Sequence, residues 1–133
     1  MQKVEHIGIA VKNLQASMAL FENLLGSPSY KTETVQTENL STAFFQTGET
    51  KIELLQGHDE TSVISKFVQN KGEGIHHIAF SVKDIEAEMK RLQASGFVLL
   101  QDKPIPGADN KLVCFLHPKS TSGVLIELCM DKS

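Results

Sequence analysis

The sequence predicts an α+β fold of two tandem βαβββ modules, whose strands form a curved mixed sheet around a cavity with the helices outside. Two observations lead to this prediction. The motif HIGIAVKNLQASM (residues 6–18) recurs as HIAFSVKDIEAEM (residues 77–89), at an offset of 71 (77 − 6), and each copy later ends in IEL, at residues 52–54 and 126–128. A half-sheet with one helix cannot bury both of its faces, so we expect the two modules to share one core.

Length and composition bound the domain count and the class of protein. With 133 residues we expect a single domain, with module 1 at about 1–57, a linker helix at about 58–72 and module 2 at about 73–133. The chain is 41% apolar and 22% charged, as in ordinary soluble proteins. No apolar run approaches the roughly 20 residues of a membrane span, and MQKVEHIGIAVKN has no signal-peptide pattern, so we expect a cytoplasmic protein.

Charge and cysteine content exclude further classes of function. The net charge of −3 argues against nucleic acid as a partner, because duplex binding requires a basic face. Cys114 and Cys129 lie in apolar runs and are interpreted as small buried side chains in a reducing compartment. Two cysteines cannot form a four-cysteine zinc site.

The first module begins with the strand HIGIAV and continues into an amphipathic helix. Asn13 is suited to cap the start of this helix, and Gly26 to end it. The strands TAFFQTG and KIELLQ follow, and Gly48-Glu49 reverses the chain between them. The apolar helix positions have spacings of 4, 3 and 4: Leu14, Met18, Phe21 and Leu25.

The second module repeats this order after a short helix in TSVISKFVQNKGEG, which is capped near Thr61 or Ser62. HIAFSV is its first strand, and Asp84 caps a helix that is predicted to end at Gly96. KLVCFLH and VLIELCM are the last two strands, joined by a loop at residues 117–123. The apolar positions of the helix are Ile85, Met89 and Leu92.

Two histidines and two glutamates occupy equivalent places in the repeat. His77 is the counterpart of His6, and Glu127 is the counterpart of Glu53. Pseudo-symmetry would bring all four together as a site for a divalent ion such as Zn, Ni, Co or Mn. We therefore expect the cavity inside the sheet to contain a metal ion. His76 should point to the other side of its strand. Each glutamate alternates with apolar neighbours, so its face is either solvent-exposed or a polar cavity, and alternation alone does not decide which.

Longer segments carry a resemblance to a known family. TKIELLQG, FVQNKGEGIHHIAFSV and CFLHPKSTSGVLIEL are similar to segments of the methylmalonyl-CoA epimerase family. The paired modules resemble the wider vicinal oxygen chelate superfamily, which also includes glyoxalase I and extradiol dioxygenases. The resemblance covers nearly the whole chain and implies that His6, Glu53, His77 and Glu127 are the metal ligands, although the family often has Gln at the position of Glu53.

The resemblance also implies a reaction, the interconversion of the C2 epimers of methylmalonyl-CoA. Epimerisation requires one base on each face of the α-carbon. Glu127 is assigned to one face, and Glu38, in VQTENLSTAFF, is the best candidate for the other, with Gln36 or Thr37 as alternative alignments. GADNK (107–111) departs from the family, which usually has a His in a Gly-Ala-His-Gly stretch. The expected contacts to the phosphates of coenzyme A are Lys66, Lys71, Lys111 and Lys119.

Two other functions fit the same fold. A glyoxalase I-type isomerase shares the four ligands, but glutathione carboxylates are commonly held by arginine forks, and Arg91 is the only arginine. A non-catalytic small-molecule binding protein would typically have lost the ligands. Iron dioxygenases usually keep three protein ligands, which makes that activity a poorer fit. We expect a homodimer, because dimers are common in the superfamily.

Overall fold

The computed structural model describes residues 1–132, and its element order confirms an α+β protein in which βαβββ occurs twice. A third helix, α2, lies between the two copies along the chain. The elements are β1 (Lys3–Ala10), α1 (Leu14–Leu25), β2 (Lys31–Val35), β3 (Leu40–Thr47), β4 (Thr50–Gly57), α2 (Val63–Lys71), β5 (Gly74–Ser81), α3 (Ile85–Ala94), β6 (Ile105–Gly107), β7 (Lys111–Leu116) and β8 (Ile126–Asp131).

The chain divides into two compact units whose limits differ from those of the sequence repeat. The first unit is His6–His76, and the second unit combines Met1–Glu5 with the described residues from His77 onward. The first residues are held to the second unit by a hydrogen bond from the Gln2 N–H to the Ser81 carbonyl (2.8 Å) and by an ion pair of Glu5 with Lys111 (3.8 Å).

The first unit contains a mixed sheet with strand order β2-β3-β4-β1. β1 runs parallel to β4, and the β2–β3 and β3–β4 pairs are antiparallel. α1 packs on one face of this sheet, where it covers Ala43, Phe45 and Leu54. All four helix positions predicted from the spacing are in this cluster, which confirms the amphipathic pattern: Leu14, Met18, Phe21 and Leu25.

The second unit repeats the arrangement with strand order β5-β8-β7-β6. β5 is parallel to β8, and the other pairs are antiparallel. α3 covers Cys114, Leu116 and Leu128 with its predicted apolar positions. The cluster of Ala79, Val113 and Cys129 is separate from the helix contacts, and strand alternation places Val113 on the opposite face from Cys114.

The helix ends follow the chemistry expected from the sequence, with one shift. The side chain of Asn13 accepts a hydrogen bond from the Ala16 N–H (3.0 Å), and that of Asp84 from the Ala87 N–H (3.1 Å). Gly26 closes α1 in the left-handed conformation, with φ of 76°, which glycine adopts without steric cost. The last residue of α3 is Ala94, and the chain leaves the helix at Gly96, which has a left-handed φ of 96° and lets the Phe97 N–H bond back to the Leu92 carbonyl (3.0 Å).

α2 starts at the predicted cap, because the Ser62 hydroxyl accepts a hydrogen bond from the Ile64 N–H (3.2 Å). Gly57, the last residue of β4, allows this start to pack closely. A Cβ at Gly57 would lie 2.1 Å from the Ser65 Oγ and 2.6 Å from the Ser62 Oγ. Of the helices in residues 1–132, none has the length and apolar character to cross a membrane.

Candidate metal and active site

The first unit brings one predicted histidine–glutamate pair together. β1 and β4 lie side by side with Gly8 opposite Glu53, and the His6 Nε2 is 3.3 Å from the Glu53 Oε1. Both residues are buried, with 5% and 3% exposure. Leu54, the strand neighbour of Glu53, packs against α1, so the alternation of the strand puts Glu53 on the face away from the helix.

The second unit contains the matching pair. The His77 Nε2 lies 3.1 Å from the Glu127 Oε1, and the two residues are 4% and 5% exposed. Ala79 is opposite Glu127 on the parallel neighbour strand. The ring of Phe115, across from Glu127 on β7, meets the His77 imidazole edge to face with centroids 6.0 Å apart.

The strand register around the two glutamates is the same in both units. Glu53 is opposite Phe44, as Glu127 is opposite Phe115, and both phenylalanines obey the offset of 71. The two glutamates therefore occupy equivalent structural positions, although their own offset is 74 (127 − 53).

Each pair has the chemistry of two ligands to one divalent ion. Neutral imidazole nitrogen and carboxylate oxygen are both donors for Zn, Co, Ni or Mn. With bond lengths of about 2.1 Å, two ligands at right angles on one ion are about 3 Å apart, which is the separation seen within each pair. The donor set of this chain therefore fits a metal.

The fold and these paired donors define a class of protein. The family model of the Glyoxalase/Bleomycin resistance protein/Dioxygenase superfamily matches residues 5–115. The chain belongs to that superfamily.

Particular relatives narrow the class. The mitochondrial methylmalonyl-CoA epimerase of Dictyostelium discoideum is 40% identical, over 95% of this chain and 76% of the relative. The ethylmalonyl-CoA/methylmalonyl-CoA epimerase of Cereibacter sphaeroides is 39% identical, over 95% of this chain and 96% of the relative. A Streptomyces coelicolor methylmalonyl-CoA epimerase, solved with 2-nitronate-propionyl-CoA, is 30% identical with a TM-score of 0.93, over 100% of this chain and 99% of that one. Within the superfamily, the chain is a member of the methylmalonyl-CoA epimerase family.

The structure places Glu38 at the end of the first unit's sheet. It is half-buried in a 3₁₀ turn, Gln36–Glu38, that joins β2 to β3. The first strand pair after this turn joins Leu40 to Gly57, four residues along β3 from the pair of Phe44 and Glu53. At about 3.3 Å per residue, that pair lies about 13 Å from the Glu53 position along the sheet.

The four predicted lysines lie in different surroundings. Lys66 and Lys71 are exposed on α2, with the Lys71 Nζ 5.6 Å from the Phe67 ring centroid. Lys119 is exposed in the 3₁₀ turn after β7. The Lys111 side chain is only 11% exposed and forms ion pairs with two carboxylates, those of Glu5 and Asp131.

Three features complete the surroundings of the predicted site. His76 is half-buried and packs edge to face against Phe67, at 5.0 Å. A cavity of about 240 Å³ lies between the start of α1 and the strands β2 and β3, and its lining includes neither His6 nor Glu53. Sequence reasoning overlooked Glu33 and Thr42, which lie on the Glu53 face of the first sheet; the alternation in KTETV was a signal for the first of them.

Proposed function

We propose that this protein epimerises methylmalonyl-CoA at C2 in a metal-dependent reaction. The observation that carries the proposal is the buried histidine–glutamate pair that recurs in each unit with the same strand register. The relatives named methylmalonyl-CoA epimerase, which are up to 40% identical over nearly the whole chain, support the choice of substrate.

We propose that His6, Glu53, His77 and Glu127 together bind one divalent ion, of Co, Mn, Ni or Zn. When bound, such an ion acts as a Lewis acid that stabilises negative charge on the carboxylate and thioester oxygens of the substrate. The histidines contribute neutral donors, and the glutamates contribute negative charge that offsets the charge of the ion.

The protein must also move a proton at C2. The Glu127 carboxylate is proposed to accept the proton on one face of this carbon; the electron pair of the C–H bond then delocalises into the thioester carbonyl. A second acid returns a proton to the opposite face, which inverts the carbon, and the reverse reaction exchanges the two roles. Glu38 is the candidate that the sequence alone offers for this second acid.

The coenzyme A part of the substrate carries phosphates, for which lysine is a suitable point-charge partner. Lys66, Lys71 and Lys119 present exposed ammonium groups and remain the proposed contacts. Lys111 remains a weaker candidate, because its ammonium group already has two carboxylate partners.

Proton exchange followed by NMR tests the proposal. The protein, stripped of metal and then reloaded with Co²⁺ or another divalent ion, is incubated with methylmalonyl-CoA in D₂O. We expect deuterium at C2 and racemisation only in the reloaded sample. No exchange with any of the metals, alongside turnover of the glutathione hemithioacetal of methylglyoxal, would instead support the glyoxalase I-type isomerase. Binding of a ligand without exchange would support a non-catalytic protein.

A homodimer and a cytoplasmic location remain predictions. Sedimentation equilibrium of the purified full chain measures the first, and fractionation of the source cells measures the second. A monomer at micromolar concentration would contradict the expected dimer.

A further inference from the structure

A polar row crosses the sheet of the first unit next to Glu53. Glu33 on β2 is directly opposite Thr42 on β3, and Thr42 is directly opposite Leu55 on β4. Glu53 is two residues before Leu55, and side chains two residues apart lie on the same face of a strand. Glu33, Thr42 and Glu53 therefore share one face, the face away from α1.

Thr42 is close enough to Glu53 for one small ligand to touch both. The two residues are diagonal neighbours on paired antiparallel strands, a relation that puts their Cα atoms about 7–8 Å apart. Among the described residues on this face of β2, β3 and β4, the acids are Glu33 and Glu53. Glu33 is thus the acid that lies next to Thr42 on the side away from Glu53.

The Thr42 hydroxyl has no structural partner in residues 1–132. The residue is 0% exposed, and its Oγ1 makes no hydrogen bond. Leaving a buried hydroxyl unsatisfied is unfavourable, so such groups in native proteins usually serve a ligand, a water or a reaction. An unpartnered hydroxyl on the same face as the proposed metal ligand indicates a ligand contact.

The second unit shows that the fold does not require polar residues in this row. At the offset of 71, the counterpart of Thr42 is Val113, which is directly opposite Ile105 and Cys129. These three residues belong to one apolar cluster. The same row is therefore filled by packing in one unit and by a carboxylate and a hydroxyl in the other.

Glu33 is held in place by a neighbour on its own strand. Its Oε1 lies 3.5 Å from the Nζ of Lys31, and the Glu33 side chain is 31% exposed. The Lys31 Nζ in turn lies 5.7 Å from the ring centroid of Phe44, the residue opposite Glu53. The alternation of β2 puts the Glu33 carboxylate on the Glu53 face, and its exposure gives access to solvent for exchange of its proton.

We propose that Glu33 is the second base of the epimerase, and that the Thr42 hydroxyl contacts the substrate between Glu33 and the metal ligands. The inference rests on the proposed function. In one direction the C2–H bond breaks, its proton passes to a Glu33 oxygen and its electron pair moves into the thioester carbonyl; Glu127 then supplies a proton to the opposite face. Glu38, in the 3₁₀ turn beyond the end of β2, is the alternative that the measurements below separate from Glu33.

Separate measurements of exchange and inversion test Glu33. In Glu33→Gln we expect inversion at C2 to fall by about 10²–10⁴-fold, while Glu127 still exchanges the C2 proton of one epimer with retention of configuration. Glu22→Gln, an exposed glutamate on α1, is the matched control and should behave as wild type. Glu38→Gln is measured in parallel, because a loss of inversion in that variant alone would assign the base to Glu38.

Thr42→Val tests the hydroxyl, because it installs the residue that the second unit has at this position. We expect an unchanged or higher melting temperature, because an unsatisfied polar group is removed. Calorimetric affinity of the metal-loaded variant for methylmalonyl-CoA should fall about 2–13-fold, as for the loss of one neutral hydrogen bond. Thr32→Val, an exposed threonine on the other face of β2, is the control.

The outcomes separate this inference from the proposed function. A wild-type protein without any exchange overturns both. If wild type is active and Glu33→Gln inverts C2 at the full rate, only the assignment of Glu33 is overturned. If Glu38→Gln loses inversion while Glu33→Gln still inverts C2 normally, the base is Glu38. Unchanged affinity in Thr42→Val overturns the substrate contact.

Discussion

Glu53 and Glu127 have the same structural surroundings but different proposed duties. Each lies beside a histidine on a parallel neighbour strand and faces a phenylalanine across the antiparallel one. Glu53 is proposed only to bind the metal, whereas Glu127 is also proposed to move a proton. Metal binding therefore depends on the charge and ligand geometry of both glutamates, and proton transfer depends in addition on the basicity of Glu127.

The two glutamates should respond differently to the same substitution. Glu53→Gln keeps an oxygen ligand, so we expect C2 inversion within about tenfold of wild type with weaker metal binding. Glu127→Gln removes the base, and we expect a loss of about 10²-fold or more. Both rates are measured by polarimetry or by coupled assay on metal-loaded protein, with circular dichroism as the control for folding. Equal losses in the two variants would contradict the division of roles.

At the scale of elements, the connection from β4 to α2 determines how closely the linker helix packs on the first unit. Gly57 ends β4 directly beneath the start of α2. In the following turn, Asp59 accepts hydrogen bonds from the Thr61 hydroxyl, the Thr61 N–H (2.9 Å) and the Asn39 amide (2.7 Å). Close packing at Gly57 and hydrogen bonds to the Asp59 carboxylate, two residues later, thus both fix the start of α2.

Gly57→Ala should destabilise the protein, because the new methyl group collides with the hydroxyls that lie at the start of α2. Overpacking of this kind costs about 1–3 kcal/mol, measured as a lower free energy of unfolding in urea. Adding Ser65→Ala should restore only part of the loss, because the Ser62 Cβ remains 2.7 Å from the position of the new methyl group. Equal stability of Gly57→Ala and wild type would show that the helix is free to shift.

The turn at Asp59 predicts a pH dependence. Hydrogen bonds from the Thr61 hydroxyl, then from its backbone N–H and from Asn39, hold the pKa of the Asp59 carboxyl below its ordinary value of 3.8. A lowered pKa in the folded state stabilises the protein above the unfolded-state pKa, and this contribution is lost as pH falls through the folded-state value. Asp59→Asn should therefore lower the melting temperature more at pH 7 than near pH 3. An equal decrease in melting temperature at pH 7 and near pH 3 would contradict the role of the Asp59 charge.

At the scale of the whole molecule, the sequence predicted what repeats and overlooked what does not. The repeat predicted both modules and both histidine–glutamate pairs, and local sequence predicted the caps Asn13 and Asp84, because these features are local or occur twice. Glu33 and Thr42 were overlooked because a strand's alternation does not reveal which strand lies beside it. Only the registers of the β2–β3 and β3–β4 pairs place Thr42 diagonal to Glu53 and Glu33 opposite Thr42.

The grouping of Met1–Glu5 with the second unit was also unexpected, and it predicts an effect of truncation. Deleting residues 2–5 removes the backbone bond to Ser81 and leaves Lys111 without one of its carboxylate partners. We expect the deletion to lower the melting temperature. Amide hydrogen exchange, measured by mass spectrometry, should accelerate more in β5, β7 and β8 than in α1. Glu5→Gln, at full length, separates the charge from the backbone contact. Uniform acceleration over the whole chain would contradict the grouping.

The limits of the units have a consequence for cutting the chain in two. The chain changes unit at the Glu5–His6 and His76–His77 bonds, which are themselves 71 residues apart. Residues 1–5 therefore lie with the later copy and residues 72–76 with the earlier one. Two fragments cut in the loop at residues 58–62 would each lack a strand segment that the other carries, so they should fold by complementing one another rather than separately.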